Sequence, residues 1–386
     1  MNLVTDVNHL LGRIRLFDIR SYLEQKGWQN VTTRNDRWNI FQLEEGGESI
    51  ELILPSQERF IDVQERIVQT ILSLSQIEER TTDEICSAIV GTNVDSLFIR
   101  LQIPSNKSSI PVEEASQHVN AIKDLIRFSA CSEINAKPYY EKALSASNKI
   151  IKDFEFCHTF EGSFGFEVSS PVIKPQDAGT DDLSTSMPQQ LAAQTPKSRL
   201  VIERLARGLI LLDEAVKNDD PDVLTQSYKT AFNSKMCDAI TEISINGKVV
   251  FNLGIKWASL MPPTEDVRSF SERVINEPQI NMLKHVSEQL KIVRPYPDYI
   301  NGLVVNLHCI GNPTEDLKRT ITLKVKHENH GSIDVKMDLG ANEYLLAIDA
   351  HTDGKYLSAT GQLQRKGGMW LLNAITSLKI DDHDDQ

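Results

Sequence analysis

The sequence predicts a multidomain α+β protein. Its 386 residues exceed the usual size of a single hydrophobic core, which indicates two or three domains. Helical and strand patterns alternate in no regular βαβ order, which argues against a doubly wound nucleotide-binding fold. Residues 171–198 are rich in Pro, Ser, Thr and Gln. Such a segment buries too little apolar area to offset its ordering entropy. Its composition favours a flexible linker over a segment that wraps a partner.

Residues 1–170 are expected to form an α+β domain. The helical spacing of Leu10, Leu11, Ile14 and Phe17 predicts a helix that ends near Lys26. The remaining predicted elements are a hairpin over 38–43 and 50–54, helices over 60–74, 82–91 and 111–130, and strands over 97–103, 150–156 and 164–168.

Residues 199–298 are expected to form a mostly helical region with one hairpin. Helices are predicted over 199–212 and 223–232. Asn246-Gly247 predicts the turn of a hairpin within 236–258. A long polar helix is predicted over 265–291, with Pro278 breaking or kinking it.

Residues 299–380 carry the most informative pattern. Apolar residues alternate on three successive strands, beginning with Leu303, Val305, Leu307 and Cys309 on the first. A helical period follows over 341–351, and two further strands begin near Leu357 and Met369. This order of three strands, a helix and two strands resembles an OB-fold barrel, in which the helix closes the barrel between strands three and four. A small half-open barrel or sandwich is the alternative.

Composition and cysteine usage restrict the class of protein. The net charge of −13 argues against a surface that coats nucleic acid as a whole. The first twenty residues lack a signal-peptide core with a cleavage site, and no apolar run has the length of a membrane span. The five cysteines stand far apart without a CxxC pair, which is typical of buried thiols in a reducing compartment. We therefore expect a cytoplasmic protein.

No catalytic or cofactor motif stands out, so we expect no cofactor and no metal. Glu161-Gly162-Ser163-Phe164-Gly165 departs from a nucleophile elbow at its first position. His327 and His330 stand three residues apart in a predicted turn and lack a third ligand, so we interpret them as a solvated turn. The acidic residues 381–386 are interpreted as a solubilising tail, or alternatively as a phosphate mimic.

The predicted barrel suggests a binding face on its second and third strands and adjoining loops. Residues 299–380 carry nine basic and eight acidic side chains, a net charge of +1, which makes this the least acidic part of the chain. No aromatic residue occupies the outward positions, and most single-strand binders stack bases on aromatic rings. The candidate nucleic-acid or partner-binding residues are Lys324, Lys326, Lys336, Arg365 and Lys366.

Several segments together resemble landmarks of an uncharacterised group of bacterial cytosolic proteins. They are Gly27-Trp28, residues 50–55, Ala130-Cys131-Ser132-Glu133, Lys137-Pro138-Tyr139 and Glu161-Gly162-Ser163-Phe164. The resemblance implies a bacterial cytosolic protein and no activity. A role in anti-phage defence is an expectation attached to the group and not to these residues.

The hypothesis is therefore a non-enzymatic binding or scaffold subunit of a bacterial complex. Its C-terminal barrel would engage a partner protein, a second copy of the chain or a nucleic acid. The alternative is a nuclease or nucleotide hydrolase whose site is assembled from distant carboxylates, which a single sequence cannot reveal.

Overall fold

The computed structural model describes residues 14–31, 37–45, 48–102, 109–157, 164–173, 195–309, 319–328, 330–366 and 368–381. Three predicted features fall partly or wholly outside these ranges: most of the linker, the Glu161-Gly162-Ser163 motif and the acidic tail after Asp381. The described residues combine helices with three sheets, so the α+β prediction is confirmed. No helix among them is both long enough and apolar enough to cross a membrane.

The N-terminal residues form a three-stranded antiparallel sheet covered by helices. Strand β2 lies between β1 and β3, and the predicted hairpin is confirmed. Thr81 begins the third helix with a capping box, because its hydroxyl accepts from the Glu84 amide and Glu84 accepts from the Thr81 amide. The bounds are α1 Leu16–Gln25, β1 Gln29–Val31, β2 Trp38–Glu45, β3 Glu48–Pro55, α2 Val63–Ile77 and α3 Thr82–Asn93. This unit has its own hydrophobic core.

The central residues form a five-stranded antiparallel sheet in the order β5-β6-β4-β7-β8, packed against helices. The elements before the predicted linker are β4 Val94–Leu101, α4 Val112–Ile134, α5 Ser147–Ile151, β5 Glu155–Phe156 and β6 Gly165–Pro171. Those after it are α6 Lys197–Asn218, α7 Asp222–Thr225, α8 Ser234–Ile243, β7 Phe251–Lys256, β8 Glu272–Ile275 and α9 Glu277–Leu290.

This sheet joins residues from both sides of the predicted linker. Strand β4 pairs with β6 on one edge and with β7 on the other. One hydrophobic core extends from Leu97 to Leu290 in the sequence. The packing therefore differs from the predicted division into 1–170 and 199–298. Strand pairing between distant segments leaves no trace in local periodicity, which explains the difference.

Several local predictions in this region were wrong. Residues 236–243 are helical, and Asn246-Gly247 connects a helix to β7 instead of two strands. Both residues have positive φ, as such a tight connection requires. Pro278 does not break a helix. It lies in the first turn of α9, where a missing N–H removes no hydrogen bond. The predicted 150–156 strand is mostly helical and turn, and the predicted 223–232 helix forms one short turn of helix.

The C-terminal residues form a closed five-stranded barrel in the order β10-β11-β13-β12-β9. Its elements are β9 Val293–Cys309, β10 Arg319–His327, β11 Gly331–Asp338, α10 Ala341–Asp353, β12 Tyr356–Lys366 and β13 Met369–Asp381. Neighbouring strands are antiparallel, except that β11 and β13 are parallel. The parallel contact is short, with Val335 opposite Trp370 and Lys336 opposite Leu371.

A bulge in β9 reverses the side-chain alternation that the sequence predicted. Thr322 lies opposite Asn306, whereas Leu323 lies opposite Val304, so Val305 is the extra residue. Upstream of it, Val304 points inward, while Leu303 and Val305 are 38% and 47% exposed. The prediction that both face the core was wrong, because one inserted residue moves every upstream side chain to the other face.

The two ends of the barrel are closed by different parts of the chain. Helix α10 closes one end, where Tyr344, Ala347 and Ala350 join the barrel core. The opposite end receives Tyr139, which follows α4 in the central unit. Its side chain is only 7% exposed. The barrel core is therefore completed by a residue from outside the barrel.

Candidate functional site

A groove crosses the outer surface of the barrel where β11 meets β13. Its volume is about 590 Å³, within the range of small-ligand and peptide sites. Four strands contribute residues to it, and it lies over the short parallel contact between β11 and β13. The lining residues are Asn306, His308, Thr320, Thr322, Lys336, Met337, Asp338, Met369, Leu371 and Asn373.

The groove combines amide, hydroxyl and thioether groups with one cation and one anion. The Thr320 hydroxyl donates to Asp338 Oδ1 at 2.6 Å. The Lys336 ammonium lies 3.6 Å from the Met369 sulfur. None of the lining residues is a Phe, Tyr or Trp. The groove therefore offers both polar and apolar contacts, and its one ring is the imidazole of His308.

One strained backbone position lies beside this groove. Three residues of β13, numbers 374–376, lie opposite the single residue Gly361 of β12. Ala374, which follows the groove residue Asn373, has a φ of 46°, a left-handed conformation that costs a non-glycine residue about 1–2 kcal/mol. A Cβ at Gly361 would lie 2.7 Å from the Asn373 carbonyl oxygen. Bulges of this kind often reorient side chains at functional surfaces.

Three of the predicted site residues lie on the outer face of the barrel. Lys324 and Lys326 are exposed on β10, and Lys336 is exposed on β11 inside the groove. Lys324 lies directly opposite Asp334, so the neighbouring charges of the two strands offset each other. The structure therefore brings one of these three lysines into the groove and places the other two further along the same face.

The other two predicted residues do not line the groove. Arg365 is 7% exposed; its Nε donates to Glu141 Oε1 at 3.0 Å and its Nη1 donates to the Lys291 carbonyl at 3.1 Å. Lys366 is exposed at the end of β12, opposite Met369. Arg365 is thus held in a contact with the central unit.

Arg365 belongs to a group that we call the end cluster, which joins the barrel to the central unit. Its residues are Tyr139, Glu141, Tyr296, His330, Arg365 and Trp370. Glu141 Oε1 accepts from Arg365 and also from the Trp370 indole at 3.0 Å. The Arg365 guanidinium lies 4.4 Å from the centre of the Tyr139 ring, within the range of a cation–π contact.

The turn that carries the two histidines lies at the surface as predicted, but the two imidazole side chains are partly buried and bonded within the protein. His327 Nε2 lies 2.8 Å from Asp298 Oδ2, and the side chain of His327 is 7% exposed. The His330 amide donates to His327 Nδ1 at 3.3 Å, so the Nε2 nitrogen of His327 carries the hydrogen that Asp298 accepts. Glu328 and Gly331 of this turn are exposed, whereas the His330 ring is half-buried, with the Tyr139 ring of the central unit stacked on it.

His330 lies between two tyrosine hydroxyls. Its Nδ1 is 3.3 Å from the Tyr139 hydroxyl and its Nε2 is 3.0 Å from the Tyr296 hydroxyl. Burial, followed by the nearby His327 and Lys137, lowers the pKa of His330 to about 4. Burial and the Asp298 carboxylate raise the pKa of Tyr296 to about 12. At neutral pH the end cluster therefore contains a neutral imidazole bonded to neutral hydroxyls.

The perturbed carboxyl groups elsewhere are explained by local structure. Burial raises the pKa of Asp95 to about 6 despite the opposing effect of Arg199. The Arg199 guanidinium holds both Asp95 oxygens, at 2.6 and 2.8 Å. Burial likewise raises the pKa of Asp18 to about 6. In the described part of the chain, no group of three or more His, Cys, Asp or Glu side chains could hold a metal ion.

Sequence reasoning missed most of the groove. Asn306 and His308 lie on the first barrel strand and Asn373 on the last, whereas we searched the second and third strands and the loops. The parallel β11–β13 contact brings these strands together, and no local pattern marks it. Comparison with known proteins identified no matching family model, no matching curated protein and no matching solved structure.

Proposed function

We propose that the protein is a non-enzymatic binding subunit whose C-terminal barrel, an OB-like barrel, holds an extended segment of a partner protein in its groove. The strand order, the helix between β11 and β12 and the parallel β11–β13 contact support the OB-like assignment. The observation that carries the function is the groove itself, at the face where such barrels bind polymers. The proposed setting is a cytoplasmic complex in a bacterium, with anti-phage defence as a candidate process.

The chemistry of the groove favours a protein segment over a nucleic acid. Lys336 and Asp338 contribute one charge of each sign, so the groove has no excess of positive charge to attract phosphates. The groove also contains side chains that can bind an extended peptide. Asn306 and Asn373 can pair with peptide groups, and Met369 and Leu371 offer apolar contact.

The experiment uses short random peptides displayed on phage and selected on the full-length chain. The selected peptides, fluorescently labelled, are then titrated with the protein in an anisotropy assay. Replacing Thr322, which lines the groove, by Arg should raise the dissociation constant about tenfold or more, corresponding to about 1.4 kcal/mol. The matched control is Thr360→Arg on β12, outside the groove, and it should bind like the wild type.

Three outcomes would contradict the proposal. Equal binding by the Thr322→Arg variant would remove the groove as the site. Tight binding of a labelled single-stranded oligonucleotide, with a salt dependence that flattens when Lys336 is replaced by Ala, would favour a nucleic-acid partner. Turnover of a nucleotide, nucleic acid or ester by the purified protein, abolished by one side-chain change, would make it an enzyme.

A further inference from the structure

The third strand of the N-terminal sheet has an open edge. In the order β1-β2-β3 it is the last strand, and no other described strand pairs with it. Helix α2 contacts β3 through the inner face of the sheet, where Leu52 and Leu54 are buried with Val63 and Ile67. Exposed sheet edges are normally covered or disrupted because they can pair with another chain.

The register of the hairpin identifies which backbone groups point outward. The Ser56 amide donates to the Arg37 carbonyl at 2.9 Å, which makes this a hydrogen-bonded pair. Because such pairs alternate along an antiparallel ladder, the even-numbered residues of β3 bond to β2. The amide and carbonyl groups of Ser49, Glu51 and Ile53 therefore point away from β2. The next outward residue is Pro55, which has no N–H to satisfy.

The side chains beside this edge specify a particular kind of partner. Val31, Ile40 and Ile53 lie opposite one another and form an apolar row across the outer face of the sheet. Val31 and Ile53 are 37% and 46% exposed. The next row toward the hairpin turn contains Glu51, which is exposed and whose Oε1 accepts from the Gln42 side-chain Nε2 at 2.5 Å.

A second copy of the chain fits this edge poorly. If a two-fold axis pairs β3 with β3 of a second copy in the centred register, Glu51 of one copy lies directly opposite Glu51 of the other. Like charges directly opposite each other destabilise a strand pair. Exposed Glu44, on the neighbouring strand β2, lies on the same outer face near the turn, so two carboxylates stand on this face beside the edge. A basic strand is complementary to them.

We propose that β3 binds an extended basic peptide segment of a partner by strand addition. The partner places an apolar side chain beside Ile53 and a Lys or Arg two residues away, beside Glu51. Main-chain hydrogen bonds to Ser49, Glu51 and Ile53 supply the affinity, and the two side-chain positions supply the specificity. This site is separate from the barrel groove, so either can be present without the other.

The probe is a fluorescein-labelled peptide (the Lys–Val peptide) in which Val and Lys stand two residues apart, on one face of the strand, with Thr at every intervening position, titrated with the full-length protein. A second peptide replaces each Lys by Glu, and a third carries N-methyl groups on the alternate amides that would face β3. We expect the first peptide to bind and the other two to bind at least about tenfold more weakly. Equal binding of the N-methylated peptide would overturn strand addition, and equal binding of the Glu peptide would overturn the basic partner.

Two variants locate the site on the protein. Glu51→Lys should weaken binding of the Lys–Val peptide about tenfold, whereas the matched control Glu113→Lys, exposed on α4, should leave it unchanged. Ile53→Pro removes an outward N–H without removing a bond to β2 and should also weaken binding. Unchanged binding by the Glu51→Lys variant would place the peptide elsewhere. A concentration-dependent dimer that Ile53→Pro abolishes would assign the edge to a second copy instead.

Discussion

Tyr139 is expected to hold the barrel on the central unit, and truncating it tests that role. Its ring is 7% exposed within the barrel core, and replacing a buried aromatic residue by Ala costs about 3–5 kcal/mol. The contact with Arg365 adds about 0.5–2 kcal/mol within that loss. Tyr139→Phe keeps the ring and removes only the hydroxyl near His330, so it should cost about 1 kcal/mol.

The assay is urea unfolding of the full chain, combined with hydrogen exchange resolved by mass spectrometry. Tyr139→Ala should increase exchange in peptides from β11 and β12, while exchange in the central strands β4 and β7 changes little. Tyr139→Phe should change exchange in the same peptides to a smaller extent. The reasoning is refuted if the Ala variant unfolds within about 1 kcal/mol of the wild type, or if exchange increases equally in the barrel and in the central sheet.

Three further predictions concern glycine packing, strain and pH. In a thermal unfolding assay, Gly208→Ala should destabilise the chain by about 1–3 kcal/mol, because the added Cβ would lie 2.2 Å from the Phe232 ring. In the same assay Gly91→Ala should stabilise the chain by about 0.5–1 kcal/mol, because Gly91 lies on α3 with open space where the Cβ would be. Ala374→Gly should raise the free energy of unfolding by about 0.5–1 kcal/mol because it relieves a φ of 46°; an unchanged midpoint would show that the bulge is not strained. The folded-state pKa of His330, about 4, lies below its unfolded value of 6.5, so its contribution is fully present above pH 6.5 and is lost as the pH falls toward 4. The free energy of unfolding of the wild type relative to His330→Gln should therefore decrease over this window, with a slope of at most about 1.4 kcal/mol per pH unit. Because Asp18 and Asp95 are common to both proteins, their opposite pH dependence cancels in that difference, and a flat difference would contradict the role of His330.

The two proposed sites can be tested independently of each other. The groove lies on the barrel and is tested by Thr322→Arg, whereas the β3 edge lies on the N-terminal sheet and is tested by Glu51→Lys. Each variant should leave binding at the other site unchanged. A chain with both sites intact can connect two partners, which is what a scaffold subunit does.

Local patterns predicted the hairpin of β2 and β3 because both strands and their Gly-rich turn are contiguous. They also predicted the strand–helix–strand order of residues 299–380, whose alternation changes from a period of two to a helical period at Ala341. They failed where a single residue changes which face of a strand the side chains occupy, or where a helix begins. Val305 inserts a bulge that reverses the facing of Leu303, and Pro278 begins a helix that we expected it to break.

The candidate sites were less predictable than the elements. Lys336 was identified from its outward position on the third barrel strand, and it does line the groove. Arg365 was chosen as a residue of a loop adjoining that face and is instead bonded to Glu141, which is 224 residues away in the sequence. A charged residue at the end of a strand has the same local signature whether it faces solvent or a neighbouring unit.

The sequence by itself determined that the chain mixes helices and strands, where the hairpin of β2 and β3 lies and the element order of the C-terminal barrel, because side-chain periodicity and turn chemistry act over a few residues. Tertiary structure decided that β4 joins β6 and β7 in one sheet, that Tyr139 closes the barrel, and that Asn306, Lys336 and Asn373 share a groove. Those arrangements depend on pairing between segments far apart in the chain. Their stability comes from burial and hydrogen bonding that exist only once the segments have met.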